Sequence, residues 1–241
     1  MATPLTNPME YKWDKDMETN IEARFPAGST YVSEFKRNLA LLRQAMSVGK
    51  ITEAEKIMQR MYPPPAIDFE TGLKQALFIY HVSPAIPTIF ACNEIVGLLP
   101  YKAKVLEINA HRGVWSQFLD FFFCKTTALH CTRRAYSQTL GPVHRTEDPG
   151  SYLQGSGRRF DVLLLVRPDR QDGMQDAVQC VNWFKGDTVI YVGCEPLGED
   201  RKEGHVFLDI ERLFVFTHHV EIPMLLDKTE MIMVYKRRHP V

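Results

Sequence analysis

Residues 160–166 read FDVLLLV, five consecutive aliphatic side chains after a single acid. Successive strand residues face opposite sides, so a run with no polar residue in either phase leaves no face for water. Such a segment predicts a strand in the interior of a sheet covered on both sides, and sheets of that kind are built from parallel strands joined by helices. The surrounding chain supplies the parts in alternation. Strand KVLEIN (104–109) precedes helix GVWSQFLDFFFCK (113–125), and strand TALHC (127–131) precedes a loop-rich segment extending to residue 159. After FDVLLLV come helix DGMQDAVQCVNWF, strand DTVIYVG, a polar loop, helix HVFLDIERLF, and strands FVFTHHVEI and EMIMVYKRR. Only PMLLDKT joins the last two, too short for a covered crossover, so they are expected to close the sheet as an antiparallel hairpin.

Ahead of this region the pattern changes. Residues 1 to about 30 lack a hydrophobic period and read as an extended arm that needs a partner surface, with Tyr11 and Trp13 as its aromatic anchors. From Ser33, apolar residues Phe35, Leu39, Leu41, Leu42 and Met46 recur at helical spacing until Gly49. A second helix is expected from Thr52, with Thr52 and Glu55 as a capping box, ending before the prolines of MYPPP. The stretch AMSVGKITEAEKIMQRM is similar to half of a pentatricopeptide-type repeat, in a single copy. The expected domains are 1–66, an arm and helical hairpin, and 67–241, an α/β domain. Lys plus Arg and Asp plus Glu each number 29, so no net field draws the chain to nucleic acid or an anionic bilayer. The most apolar window, residues 76–101, holds three prolines, a His and a Glu, which argues against a membrane span. Five widely spaced cysteines without a CxxC pair read as reduced, buried thiols.

KVLEINAHRGVWSQFL (104–119) is similar to the first motif of the class I S-adenosylmethionine-dependent methyltransferases, in which an acid and glycines follow the first strand. FDVLLLVRPD resembles that family's fourth motif, GDTVIYVG its fifth strand and VEIPMLLDKTEMIMVYKRR its closing hairpin; together they span about residues 70 to 238. The resemblance implies a Rossmann-like α/β sheet, mostly parallel with an antiparallel C-terminal hairpin. It also implies a cofactor site framed by Glu107, Asn109, His111, Gly113 and Trp115, with Asp169 or Glu195 as base or orienter in an active enzyme.

Several positions depart from that pattern. Asn109 and His111 stand where the loop carries glycine, and an imidazole at 111 would enter the space of the cofactor. The second strand ends in His130, Cys131 and Thr132 where a carboxylate grips both ribose hydroxyls; a threonine cannot match that bidentate anion. The fourth motif reads VRPD, placing the cation Arg167 beside the sulfonium and keeping only Pro168. The expectation is therefore a methyltransferase fold retained as a scaffold, with no catalytic residue, no cofactor and a vestigial site. Its partners would be protein subunits of a larger assembly, a mitochondrial ribosome, respiratory complex or ATP synthase. The alternative is an active S-adenosylmethionine-dependent enzyme acting on RNA or protein. A third reading, RNA binding, gathers Arg133, Arg134, His144, Arg145, Arg158, Arg159, Lys236, Arg237 and Arg238 on one rim. The adjacent His218 and His219 face opposite sides of a strand and cannot chelate one metal, whereas His111, His130 and His144 could converge above the sheet.

Overall fold

The computed structural model describes residues 28–63, 69–131, 139–146, 148–155, 160–168, 173–194, 206–225 and 228–238. The arm expected over residues 1 to 30 falls almost wholly outside them. Chain contacts divide the molecule into two compact units, residues 1–83 with 224–228, and residues 84–223 with 229–241.

The first unit is helical: α1 (Gly28–Ser47), α2 (Ile51–Met61) and α3 (Phe69–His81). Val32, Phe35, Leu39 and Leu42 repeat every three or four residues along α1 and are buried, as are Ala54, Ile57, Met58 and Met61 on α2. Gly49 takes a left-handed φ of 72°, and the backbone bonds from Gly49 to Met46 and from Lys50 to Ala45 close α1. The expected capping box does not form. Lys50 is the N-cap residue with no side-chain cap, α2 starts at Ile51, and Lys50 instead pairs with Glu53 at 3.2 Å in solvent. Thr52 thus lies inside the first turn, where its hydroxyl is no longer at the capping position. Phe35 and Tyr62 meet the fully buried Phe78 edge-on, with ring centroids 6.0 and 5.9 Å away.

The second unit begins with α4 (Ile89–Gly97), whose N-cap Thr88 accepts a hydrogen bond from the Ala91 amide at 3.0 Å. Then follow β1 (Lys104–Ile108), α5 (Val114–Phe121), β2 (Lys125–Cys131), β3 (Val143–Thr146), α6 (Pro149–Gly155) and β4 (Val162–Val166). The unit is completed by α7 (Met174–Trp183), β5 (Thr188–Gly193), α8 (Val206–Leu213), β6 (Phe214–Leu225) and β7 (Lys228–Arg237), the β6–β7 turn itself counting with the first unit. The seven-stranded sheet has the order β3-β2-β1-β4-β5-β7-β6. Pairs from β3 to β5 are parallel and β5–β7 is antiparallel, so the Rossmann-like, methyltransferase-like sheet with its antiparallel closing hairpin is as expected. All five residues of β4 and all six of β5 are buried, which accounts for the unbroken apolar run in FDVLLLV. The segment read as loop holds β3 and α6: Asp148 accepts hydrogen bonds from the amides of Gly150 and Ser151, starting a short helix, and edge strand β3 is too polar to show a strand pattern.

Cys92, Cys124 and Cys180 are free and buried, and Cys194 is free and half-buried. Desolvation pushes the Cys92 thiol upward and the Cys124 thiol up to about 11, which keeps both in the unreactive protonated form. Among the described residues no helix is long and apolar enough to cross a membrane. Phe78→Ala removes the ring shared by Phe35 and Tyr62, and is expected to lower stability by about 3 to 5 kcal/mol in chemical denaturation.

Candidate functional site

In the sheet order, β1 and β4 are neighbours although β2 and β3 intervene in sequence, so the chain leaves this point in opposite directions. A crevice at the carboxyl ends of two such strands is where open α/β sheets bind ligands. The five cofactor-site residues named from sequence, Glu107, Asn109, His111, Gly113 and Trp115, are carried by β1, by the loop after it, or by the first turn of α5.

Glu107, near the end of β1, is buried, and its Oε2 accepts both the amide of Ser116 at 3.0 Å and the Ser116 hydroxyl at 2.5 Å. Ser116 is in the first turn of α5, so the carboxyl group satisfies donors that a helix start leaves open. Burial pushes its pKa up to about 8; the Ser116 bonds pull down and the charge of Asp120 adds a smaller upward push. Asn109, with φ 54°, turns its amide toward the far side of the crevice, donating to Gly173 O and Asp176 Oδ2 at 3.4 Å each. These bonds are long, but they lay the side chain across the route between the β1 loop and the start of α7.

His111 has φ 49° and is buried, and its ring lies 6.2 Å from that of His130, also buried, at a tilt of 37°. The loop beneath is tied down by Ala110 N–H to Leu129 O and by Leu140 N–H to Arg112 O, each 2.8 Å. Gly113, φ 77°, is required by packing as well as by its backbone: a Cβ there would come within 2.8 Å of Val143 Cγ2. Residues 109, 111 and 113 are all left-handed, so the backbone of a glycine loop persists while two of its three positions carry side chains. Trp115 is core; its indole N–H donates to Ala85 O at 3.2 Å. Phe118 joins it in the core, whereas Phe123, beyond the end of the helix, is exposed.

At the end of β4, Arg167 is also left-handed, φ 45°, and its amide donates to Val192 O at 2.8 Å. The buried guanidinium pairs with the buried carboxylate of Glu230 on β7 and approaches Cys194 Sγ at 3.6 Å. Gly193 gives the arginine room, since a Cβ would stand 2.8 Å from its Cδ. The expected cation beside a sulfonium is therefore neutralised, and what Arg167 sets against a ligand there is volume rather than charge. Sequence reading missed Glu230 as well as Ser116 and Asp176; the signal for Glu230 was a lone acid opening the apolar strand EMIMVY.

Thr132, Asp169 and Glu195 lie outside the described residues, as do Arg133, Arg134, Arg158 and Arg159. Among the described residues, the members of the expected basic rim divide between two edges of the sheet. Thr188 at the start of β5 registers with Lys236, so Lys236, Arg237 and Arg238 sit at the amino edge, while Arg145 registers with His130 at the carboxyl edge. Arg237 donates to Phe184 O at 2.5 Å and Gly186 O at 2.8 Å behind α7, and Arg238 to Phe214 O and Glu211 O at 3.2 Å behind α8. Cations there satisfy helix-end carbonyls and complement the helix dipoles. Among the described residues, no three His, Cys, Asp or Glu gather closely enough to hold a metal ion.

The site can be tested against an adenosyl sulfonium. From His130 to Gln138 the sequence has no carboxylate to receive ribose hydroxyls. The buried imidazoles of His111 and His130 stand at that end of the crevice, and the Arg167–Glu230 pair fills the end of β4. The described residues do not fit the group.

No family model matches the chain, and no curated protein does. Solved structures do. The chain is similar to the N-methyltransferase NodS from Bradyrhizobium japonicum WM9, at 15% identity over 61% of this chain and 94% of that one, with a TM-score of 0.43. It is also similar to the magnesium protoporphyrin IX methyltransferase from Synechocystis PCC 6803, solved with bound SAH, at 10% identity over 75% and 92% and a TM-score of 0.46. A third is the 1,6-didemethyltoxoflavin-N1-methyltransferase from Burkholderia thailandensis, at 16% over 62% and 77%, TM-score 0.41.

Two outcomes are expected of these residues. Between the ordinary carboxyl value of 4.5 and about 8, the unfolded chain loses the Glu107 proton while the folded chain keeps it. Stability contributed by this group is thus full below pH 4.5, falls as pH rises, and levels off above 8, a loss on the order of 5 kcal/mol. Glu107→Gln, which keeps an acceptor for Ser116, should flatten that slope in urea titrations across the interval. Arg167→Met alone should cost about 3 to 5 kcal/mol by leaving Glu230 buried and uncompensated, and adding Glu230→Leu should restore most of it in a denaturation cycle.

Proposed function

We propose that this chain is a methyltransferase-fold protein that transfers no methyl group and serves as a structural subunit of a larger assembly. What carries the reading is that positions a nucleoside sulfonium would need open are taken by Asn109 and Arg167, each bonded within the fold. Asn109 bonds to Gly173 and Asp176, and Arg167 pairs with Glu230. An α/β core can outlive its chemistry, because stability resides in the sheet and helices while activity resides in a few loop side chains. Glu107, Asn109, His111, Gly113 and Trp115 are in this view a vestigial site with no resident cofactor. The finer assignment, to a mitochondrial ribosome, respiratory complex or ATP synthase, rests on analogy with other retired enzyme folds. Fractionation of cells carrying the tagged chain tests it, and a cytosolic pool with no assembly partner would remove it.

The second reading is an active S-adenosylmethionine-dependent methyltransferase acting on RNA or protein. The observation in its favour is the left-handed backbone kept at residues 109, 111 and 113, a conformation that costs free energy wherever the residue is not glycine. Calorimetric titration of the purified full chain with S-adenosylmethionine separates the two. The scaffold reading expects a Kd weaker than ~1 mM, and micromolar affinity would overturn it.

A further inference from the structure

At the amino edge of the sheet, opposite the crevice, the turns that enter β1 and β2 run side by side. Lys104 registers with Lys125, and the Lys125 amide donates to Ala103 O at 2.8 Å. Each turn holds a bulky side chain in the left-handed region. In the first, Ala103 N–H bonds to Pro100 O across Tyr101 and Lys102, and Lys102 takes φ 57° at the position where such a turn favours glycine. The second is the C-terminal closure of α5, with Phe123 N–H to Asp120 O and Cys124 N–H to Leu119 O, and Phe123 takes φ 66° where glycine is the usual residue. The aromatic rings on these turns are not buried: Tyr101 is 81% exposed and Phe123 71%. Phe123 is thus unfavourable twice over, in its backbone and in its hydration, and among the described residues no contact that buries its ring offsets either.

Three lysines flank the two rings, and the two acids at these strand starts, Asp120 and Asp161, are hydrogen-bonded within the fold. Lys102 Nζ lies 5.0 Å from the Tyr101 ring centroid, and Lys104 and Lys125 are exposed like charges on adjacent strands. Among the described residues no ion pair joins any of the three lysines to a carboxylate. Nearby acids are committed to the strand starts, with Asp161 accepting the Lys104 amide at 2.8 Å and Asp120 accepting the Thr126 hydroxyl at 2.7 Å. Two like charges in register, beside two rings exposed at the cost of backbone strain, make a surface complementary to apolar side chains flanked by negative charge.

We infer that the amino edge, centred on Tyr101 and Phe123 and rimmed by Lys102, Lys104 and Lys125, docks an acidic protein segment bearing apolar anchors. The inference rests on the assembly reading and gives it a contact surface. Lys104 and Lys125 stand side by side on adjacent strands with Lys102 in the turn before them; this short cluster favours a peptide over single-stranded RNA, whose binding grooves follow the phosphate backbone.

The test uses the full chain and fluorescence anisotropy with three probes: a short synthetic peptide alternating Glu with Leu and Phe, the same peptide with Lys for Glu, and an oligouridine of matching charge. The expected result is binding of the acidic peptide alone, weakened about tenfold by Phe123→Gly and at least as much by Lys104→Glu with Lys125→Glu. Phe123→Gly is also expected to raise the melting temperature, by about 2 to 4 °C, because glycine relieves the turn. That combination separates a contact residue from a structural one. No binding of the acidic peptide, equal binding by the Phe123→Gly protein, or tighter binding of the oligouridine would overturn the inference. Failure here together with absent cofactor binding would remove this surface and leave the assembly reading standing.

Discussion

The centre of the sheet is dry on both faces. No residue of β4 or β5 reaches water, and four of the five residues of β1 are buried with them. A polar group in such a place is costly unless bonded, so the chain admits charge only where strands end. Everything chemically distinctive therefore collects at two edges. At the carboxyl edge the ionisable groups are inside and bonded within the fold: Glu107, its pKa raised by burial, under the first turn of α5, and Arg167 paired with Glu230. At the amino edge they are outside, with Lys236 to Arg238 bound to helix-end carbonyls or strand hydroxyls and Lys104 and Lys125 left to solvent.

This division bears on what the carboxyl edge can do. A ligand site keeps unsatisfied donors and acceptors in reserve for the ligand, and preorganises them at some cost in stability. In this fold Glu107 bonds the start of α5, Asn109 reaches α7, and Arg167 joins β4 to β7. The left-handed turns at 109 and 111 are held by the backbone bonds from Ala110 and Leu140 that fasten the loop to its neighbours.

Much of the architecture was legible because it follows from periodicity. The unbroken apolar strand gave the covered parallel sheet, and the short PMLLDKT connection gave the closing hairpin. Features that depend on contacts between distant residues were hidden. Arg167 and Glu230 are 63 positions apart and nothing local links them, so a lone cation was expected where a neutral pair lies. Thr52 and Glu55 have capping-box spacing, but the box needs the threonine outside the helix, and Gly49 ends the previous turn so closely that α2 begins at Ile51. The basic run at 236–238 looked like a rim because sequence does not reveal at which end of a sheet an antiparallel strand finishes. β3, with its two outer residues half-buried and its middle two exposed, has too little alternation to stand out from a loop.

The order β5-β7-β6 also carries a kinetic meaning. β6 is made before β7 yet has β7 as its neighbour, and β5 waits for the same strand. Until β7 arrives, two strand flanks lack their partner, one of them on the fully buried β5, and Arg167 has no counter-ion. Insertion of a late segment between two earlier ones is a non-local event with a high entropic barrier. A nascent chain at that stage exposes two adhesive borders at once, which makes it a natural client for a chaperone.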